Sequence, residues 1–213
     1  MTGTTPSAER TEYEWQGGGH AHNHGVLIPS LRGVLGQGRG RRLVDLGCGN
    51  GSLTAVLADD GFETAGLDLA VSGIRHAQAE HPELRFLEHD ISEPLPRELH
   101  GDFDVALAAE VIEHLFLPRQ LFRRASEALV PGGVLVVTTP YHGWLKNVAL
   151  AVTNRLDRHF GPGWDYGHIK FFSPATLTAM AVECGFEVKA VHRVGRIPPL
   201  AMSMILVARK GPA

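Results

Sequence analysis

Leu43-Val44-Asp45-Leu46-Gly47-Cys48-Gly49-Asn50-Gly51 runs from a short apolar segment, which reads as a buried strand, into three glycines at alternate positions. Behind it, Leu53, Val56 and Leu57 recur at helical spacing and Gly61 supplies a stop, so a short amphipathic helix follows the loop. Strand, glycine loop and helix in that order let backbone approach a nucleotide-like ligand, because glycine has no β-carbon to obstruct it. The spacing G-x-G-x-G differs from the G-x-G-x-x-G that seats a dinucleotide pyrophosphate on a helix N-terminus. A plain strand-to-helix turn would use the same glycines, so the acidic residues downstream carry the argument.

Glu63–Leu67 reads as the second strand, and Asp68 stands at its end, where a carboxylate can accept hydrogen bonds from both hydroxyls of a ribose. A helix over Val71–Glu80 and a strand near Leu84–Leu87 lead to His89-Asp90-Ile91. There Asp90 is placed to bond an adenine amino group, with Leu69 and Ile91 flanking the ring. A fourth strand covers Phe103–Leu107. Pro118 suits the first turn of a helix carrying Leu121, Phe122, Ala125, Ala128 and Leu129 on one face, Pro131-Gly132-Gly133 is expected to end it, and Val134–Thr139 is the next strand. Strands alternating with helices imply a parallel sheet. Pro140–Phe172, rich in Gly, His and aromatic residues with a short helix expected around Leu145–Leu156, reads as a lid or substrate wall. Ser173 then caps a helix with Pro174 in its first turn. Phe186–Val191 and Met202–Ala208 close the chain as an antiparallel edge.

Residues 1–40 read as an N-terminal flap and linker, in which Tyr13, Trp15 and Val26-Leu27-Ile28 can dock on the folded body. His20, His22 and His24 alternate in a Gly-rich segment and read either as zinc or substrate ligands or as solvated loop residues. The 213 residues, 44% of them hydrophobic, can fill one α/β core of ordinary size. With 23 acidic against 20 basic side chains, the net charge of -3 offers no general attraction to nucleic acid or anionic membrane and leaves only local patches. Cys48 and Cys184 are too few for a disulfide framework, and the first residues lack a secretory pattern, so a cytoplasmic setting is expected. Met202–Ala208 is far short of a membrane span.

Taken together, Val44–Gly51, Asp68, Asp90 and Phe103–His114 resemble the ordered motifs of class I S-adenosylmethionine (SAM)-dependent methyltransferases, over roughly residues 40–210. Ala109-Glu110-Val111-Ile112-Glu113-His114-Leu115 and Gly167-His168-Ile169-Lys170-Phe171-Phe172-Ser173 are similar to segments of the ubiquinone-biosynthesis O-methyltransferase-like group. The resemblance implies a Rossmann-like α/β domain over 41–210 with a lid-like insertion at 140–172. Its sheet would be mostly parallel and seven-stranded, with a reversed last strand and helices on both faces. It implies SAM as cofactor, with Asp45, Gly47, Cys48, Gly49, Asn50, Gly51, Asp68, Leu69, Asp90, Ile91 and Glu110 as the residues that hold it. Asp45 would bond loop amides or the methionine ammonium, and Cys48 would pack beside the cofactor rather than react.

Glu110, Glu113 and His114 follow the fourth strand, and i, i+3, i+4 spacing on a helix would turn all three to one face. Carboxylates with an imidazole make a divalent-metal half-site, which His168 from the insertion would complete. The E-x-x-E-H pattern with a later His resembles metal-assisted methyltransferases, including small-RNA terminal 2′-O-methyltransferases, in which a metal would lower a hydroxyl's pKa and orient its oxygen. In a metal-free reading Glu113 orients the loop, and His114, His142 or His168 is the general base. Tyr13, Trp15, Tyr141, Trp144, Phe160, Trp164 and Tyr166 offer either walls for an aromatic acceptor or ordinary lid packing. Arg155, Arg158 and Lys170 offer cations for an anionic substrate group or a solvated face.

The expected activity is methyl transfer to a small-molecule acceptor, by subfamily likeness an oxygen of a phenolic or catechol-like metabolite. N-, C- or S-methylation, terminal 2′-O-methylation of RNA, and a non-catalytic SAM-binding module are the alternatives. Net acidity and the lack of an RNA-binding appendage count against the RNA reading. A homodimer is compatible with the sequence.

Overall fold

The computed structural model describes residues 24–165 and 167–211. Its strands are β1 (Arg42–Leu46), β2 (Glu63–Asp68), β3 (Arg85–Glu88), β4 (Phe103–Ala109), β5 (Leu129–Pro140), β6 (Phe186–Val194) and β7 (Ser203–Lys210). They form one seven-stranded sheet in the order β3-β2-β1-β4-β5-β7-β6. β1 to β5 pair in parallel, whereas β7 pairs antiparallel with both β5 and β6. The last strand is thus the reversed one, as the resemblance implies, but it sits inside the sheet and leaves β6 at the edge.

The helices are α1 (His24–Leu35), α2 (Ser52–Asp59), α3 (Val71–Glu80), α4 (Arg119–Ala128), α5 (Trp144–Val152), α6 (Leu156–Phe160) and α7 (Pro174–Glu183). Strand side chains alternate between two cores. Leu43, Val105 and Leu107 meet α1 and α2, while Val44, Leu46, Ala106 and Ala108 meet α4 and α7. Strands covered on both faces read as continuous apolar runs, which is why β1 and β4 stand out in the sequence. α3 packs Ile74 and Ala77 on Cys48 and Phe86.

Residues 24–35, expected within a flap, form α1 and belong to the core. Leu27, Leu31 and Leu35 are buried among Leu53, Leu57, Phe62 and Ile205, and each such side chain stabilises the fold by ~1.5–3 kcal/mol. Tyr13, Trp15, His20, His22 and Tyr166 lie outside the described residues. Pro131-Gly132-Gly133 does not end α4. Leu129 already has extended backbone and begins β5. The Pro-Gly-Gly run instead fills an irregularity in the β4–β5 register between the Phe103–Leu129 and Val105–Val134 pairs, where a residue without an N–H is tolerated.

Ser173 caps α7 as expected: its hydroxyl accepts from the Thr176 N–H, its own N–H donates to Thr176 Oγ1, and Pro174 opens the helix. Between β5 and α7 the insertion holds two short helices, α5 and α6, where one is expected. His142 N–H donates to the Phe172 carbonyl, and the N–H groups of Ile169 and Lys170 both donate to the Glu113 carbonyl at 2.9 Å. The first bond ties the two ends of the insertion together, and the other two fasten its far end to the segment after β4. No helix among the described residues is long and apolar enough to cross a membrane.

Candidate active site

The carboxyl ends of the parallel strands open on a cavity of about 850 Å³, within the ~300–1,000 Å³ usual for small-molecule sites. One wall is the glycine loop. The N–H groups of Gly47 and Cys48 donate to the Leu67 carbonyl at 2.7 and 2.9 Å, which bends the loop across the end of β2. Gly49 N–H donates to Asp68 Oδ2 and Ala70 N–H to Oδ1, both at 2.8 Å. Asp68 therefore shapes the loop as well as lining the cavity, a second task the sequence reading does not contain. A carboxylate oxygen accepts more than one hydrogen bond, so Asp68 can still receive a ribose hydroxyl.

Gly47 has φ +93°, and a β-carbon there would stand 2.5 Å from Val111 Cγ2. At Gly51, with φ +77°, a β-carbon would meet Ala77 at 2.7 Å and the Phe86 ring at 2.8 Å. Both glycines are thus demanded by protein neighbours and by left-handed backbone, and not by ligand approach alone. Asn50 Oδ1 accepts from Ser52 N–H at the start of α2. Cys48 is buried, and burial, then the charges of Asp45 and Asp68, push its thiol well above the usual range. It is a packing residue at the cavity wall.

Asp45 is 1% exposed. Its Oδ2 accepts from Thr54 Oγ1 at 2.7 Å, while the buried Oδ1 has no hydrogen-bond partner among the described residues. Burial pushes the carboxyl up to about 7, against the Thr54 bond and with Asp68 adding to the rise. A buried, unpartnered carboxylate oxygen on a cavity wall suits a cationic donor such as an ammonium. Asp90, Leu69 and Ile91 line the same cavity, and Asp90 Oδ1 accepts from the Ser92 N–H and hydroxyl. His24 and Leu27 of α1, Ser52 and Leu53 of α2, and His89 also line it. His24 is one of the candidate zinc or substrate ligands of the flap and Leu27 one of its docking residues; nothing in the sequence marks Ser52, Leu53 or His89 as cavity residues.

The opposite wall comes from the segment after β4 and from the insertion: His114, Leu115, Phe116, Phe160, Trp164 and His168. The helical face expected over Glu110, Glu113 and His114 does not form. Glu110 has a left-handed φ of +56°, and only Ile112–His114 make a single 3₁₀ turn. Glu110 lines the cavity near Thr138, which takes its N–H and donates from Oγ1 to its Oε1 at 2.8 Å. The metal-type group that does assemble among the described residues is Glu113, His114 and His168, whose ligand atoms all lie within 4.8 Å of one another. It does not include Glu110.

Glu113 is fully buried, with Oε2 accepting from Thr139 Oγ1 and Oε1, 3.9 Å from His168 Nε2, lacking a hydrogen-bond partner among the described residues. Burial, then the neighbouring Glu110, raise its pKa well above the usual carboxylate range. His168 packs edge-on against His114 with ring centroids 4.8 Å apart, and burial with His114 and His159 lowers it to about 4.

His142 is not at the cavity. It is buried against His159, Phe160 and Phe171, stacked on the Phe160 ring at 5.7 Å, and lowered to about 4, chiefly by burial. It backs the aromatic wall. Arg155 and Arg158 are exposed, and neither they nor Lys170, Tyr141 or Trp144 line the cavity.

Residues 20–191 match the family described as a methyltransferase domain. The ubiquinone biosynthesis O-methyltransferase of Azorhizobium caulinodans is 36% identical over 157 residues, covering 70% of this chain and 60% of that protein. The chain spans 48–60% of the length of four proteins of that name. Among solved structures, an S-adenosylmethionine-dependent methyltransferase from Mesorhizobium loti superposes with a TM-score of 0.67 at 22% identity, over 85% of this chain and 96% of that one. The Burkholderia thailandensis 1,6-didemethyltoxoflavin-N1-methyltransferase, solved with 1,6-didemethyltoxoflavin and S-adenosylhomocysteine, gives 0.63 at 19% identity, over 86% and 76%. At these identities the structural likeness bears on the fold alone.

Proposed function

The chain belongs to the methyltransferase-domain family, of the class I SAM-dependent type, and from that premise we propose that it transfers the sulfonium methyl of SAM to an oxygen of a phenolic or catechol-like small molecule. The observation that carries the proposal is one cavity with two chemically different walls. The glycine loop with Asp45, Asp68 and Asp90 forms one. Phe116, Phe160 and Trp164 with the imidazoles of His114 and His168 form the other. The unpartnered Asp45 Oδ1 fits the ammonium of SAM, and the bend of the loop over Leu67 fits a ligand laid along the strand ends. Preference for oxygen rests on relatives named as O-methyltransferases.

The acceptor oxygen forms a bond to the methyl carbon as the sulfur–carbon bond breaks, S-adenosylhomocysteine leaves, and the hydroxyl proton passes to a base. His114 and His168 line the acceptor side and are the imidazoles placed to take that proton, and burial, which lowers His168 to about 4, weakens it as a base. The remaining tasks are alignment and exclusion of water, for which the aromatic wall and the tethered insertion are suited.

A second reading adds a divalent cation held by Glu113, His114 and His168. It is favoured by the buried Glu113 Oε1, which has no hydrogen-bond partner among the described residues and lies 3.9 Å from His168 Nε2. Such an ion would supply Lewis acidity at the acceptor oxygen.

Incubating the protein with methyl-labelled SAM and a panel of phenols and catechols should place the label on oxygen and release S-adenosylhomocysteine. Label on nitrogen, carbon or sulfur would move the acceptor reading. Absence of SAM binding by calorimetry would sink the proposal.

A further inference from the structure

We infer that the acceptor carries a protonated amine on a short alkyl arm, and that Asp165 beside Trp164 selects it. This class deepens the reading of the cavity as an oxygen-methylating site and rests on it. Five carboxylates line the cavity, those of Asp45, Asp68, Asp90, Glu110 and Asp165, whereas no lysine or arginine does so among the described residues. Arg155, Arg158 and Lys170, the cations that the sequence offers to an anionic substrate group, all stand outside it. Lys146 is committed to the carbonyls of Tyr141 and Ala201. A cleft lined by one sign of charge focuses its field on whatever enters. An acceptor bearing a carboxylate or phosphate would therefore meet like charge, whereas one bearing an ammonium would be drawn in.

The carboxylates divide by place. Asp45, Asp68 and Asp90 stand on the donor wall, and Glu110 is bonded to Thr138. Of the five, only Asp165 comes from the insertion, next to the aromatic wall. Trp164 N–H donates to the Gly161 carbonyl at 2.9 Å and Gly167 N–H to the Trp164 carbonyl at 3.1 Å, which fixes the turn after α6 that carries both residues. Trp164 is 55% exposed and Asp165 is exposed beside it, so the pair stands at the mouth. Deeper on the same side is His168, whose ring centroid lies 6.1 Å from that of Trp164.

An indole face and a carboxylate both attract an ammonium, the first through the ring quadrupole and the second through its charge. Asp165 and His168 are three residues apart in the sequence, a span of at most ~10–11 Å. A phenol whose hydroxyl sits at His168 therefore reaches Asp165 with an aminoalkyl arm of a few carbons. The ammonium also favours ionisation of the phenolic hydroxyl, which the negative lining opposes.

The test is calorimetry on the full chain saturated with S-adenosylhomocysteine, using matched catechols: 4-(2-aminoethyl)catechol, 4-ethylcatechol and 3,4-dihydroxyphenylacetate. Affinity should fall in that order, by about tenfold or more between the first and the last. Asp165→Asn should reduce the preference for the amine over 4-ethylcatechol by about three- to fivefold, Trp164→Leu by a similar factor, and Asp165→Glu should retain it. Thermal midpoints near wild type show that the variants fold. Equal affinity for all three catechols, tighter binding of the acid, no binding of the amine, or a preference unchanged in both Asp165→Asn and Trp164→Leu overturns the inference. Methyl-labelled SAM supplied with the same catechols separates the two readings. O-methylation of all three without charge preference overturns the amine class alone, and selective amine binding with no label on oxygen supports that class while sinking the oxygen reading.

Discussion

Replacing Gly47 with alanine tests the glycine loop where it is most constrained. Two costs can be separated. Gly47 sits at φ +93°, and an L-residue held in left-handed backbone costs roughly 1–2 kcal/mol. The new β-carbon would also lie 2.5 Å from Val111 Cγ2 and 3.1 Å from Cγ1, an overpacking worth about 1–3 kcal/mol. Gly47→Ala should therefore lower unfolding stability by about 2–5 kcal/mol, a large share of the ~5–15 kcal/mol a domain possesses. Val111→Ala removes both γ-methyl groups and leaves the Val111 β-carbon at an ordinary 3.4 Å. Alone it should cost about 1–2 kcal/mol, since Val111 is only partly buried against the core. The double variant should recover the steric part, giving a favourable coupling of about 1–3 kcal/mol, while the backbone strain remains. Urea unfolding followed by far-ultraviolet circular dichroism measures all four states of the cycle. Additivity within ~0.5 kcal/mol would refute the claim that Val111, rather than a ligand, is what excludes a side chain at position 47.

Burial raises the folded-state pKa of Asp45 from 3.8 to about 7. Its protonated form therefore stabilises the fold below about 4, and that contribution, on the order of 4 kcal/mol, is lost as pH rises through about 7. Asp45→Asn should flatten this part of the stability–pH curve. An ammonium at Oδ1 favours the ionised carboxylate, so S-adenosylhomocysteine should bind the wild type more tightly as pH rises through about 7, and calorimetry on Asp45→Asn should lose that trend. Glu113→Gln keeps an acceptor for Thr139 but removes the carboxylate. It should abolish binding of Mg²⁺, Mn²⁺ or Zn²⁺ seen by calorimetry and leave affinity for S-adenosylhomocysteine within about twofold, and unchanged metal affinity would remove the cation from the second reading. Because His142 backs the wall without lining the cavity, His142→Asn should lower the thermal midpoint while preserving the shape of the rate–pH profile; His168→Asn should alter that shape. Ser173→Ala should cost about 1 kcal/mol through loss of the α7 cap, readable as a lower urea midpoint at unchanged slope.

The donor side of the cavity was legible because its signals are local. Leu43–Leu46 read as a strand from composition, the glycines from their spacing, and Asp68 and Asp90 from their places at strand ends. α1 carries a local signal that its breaker residues obscure. Leu27, Leu31 and Leu35 recur every fourth residue, but Gly25 ahead of them and Pro29 and Gly33 between them weaken the helical reading until tertiary burial outweighs propensity. The acceptor side was harder for a different reason. Helical spacing is a rule about neighbours on one element, whereas the turn after β4 is set by Thr138 on the adjacent strand, which holds Glu110 in left-handed backbone and takes it out of the group formed by Glu113 and His114.

The three histidines divide for the same reason. His114 and His168 meet because the insertion returns and hangs its Ile169 and Lys170 amides on the Glu113 carbonyl, a contact across more than fifty residues of chain. That return buries His142 behind Phe160 and leaves α5 outside the core. A motif can therefore report which side chains a site has available, while a long-range backbone contact decides which of them face the substrate. One carbonyl, that of Glu113, both closes the acceptor wall and fixes the part of the insertion that lies between the cavity and the exposed face of α5. Changes in the 167–172 segment should for that reason alter acceptor choice before they alter affinity for the methyl donor, whose wall stands at the ends of β1, β2 and β3 and is fastened by hydrogen bonds of its own, Gly49 N–H to Asp68 and Thr54 to Asp45.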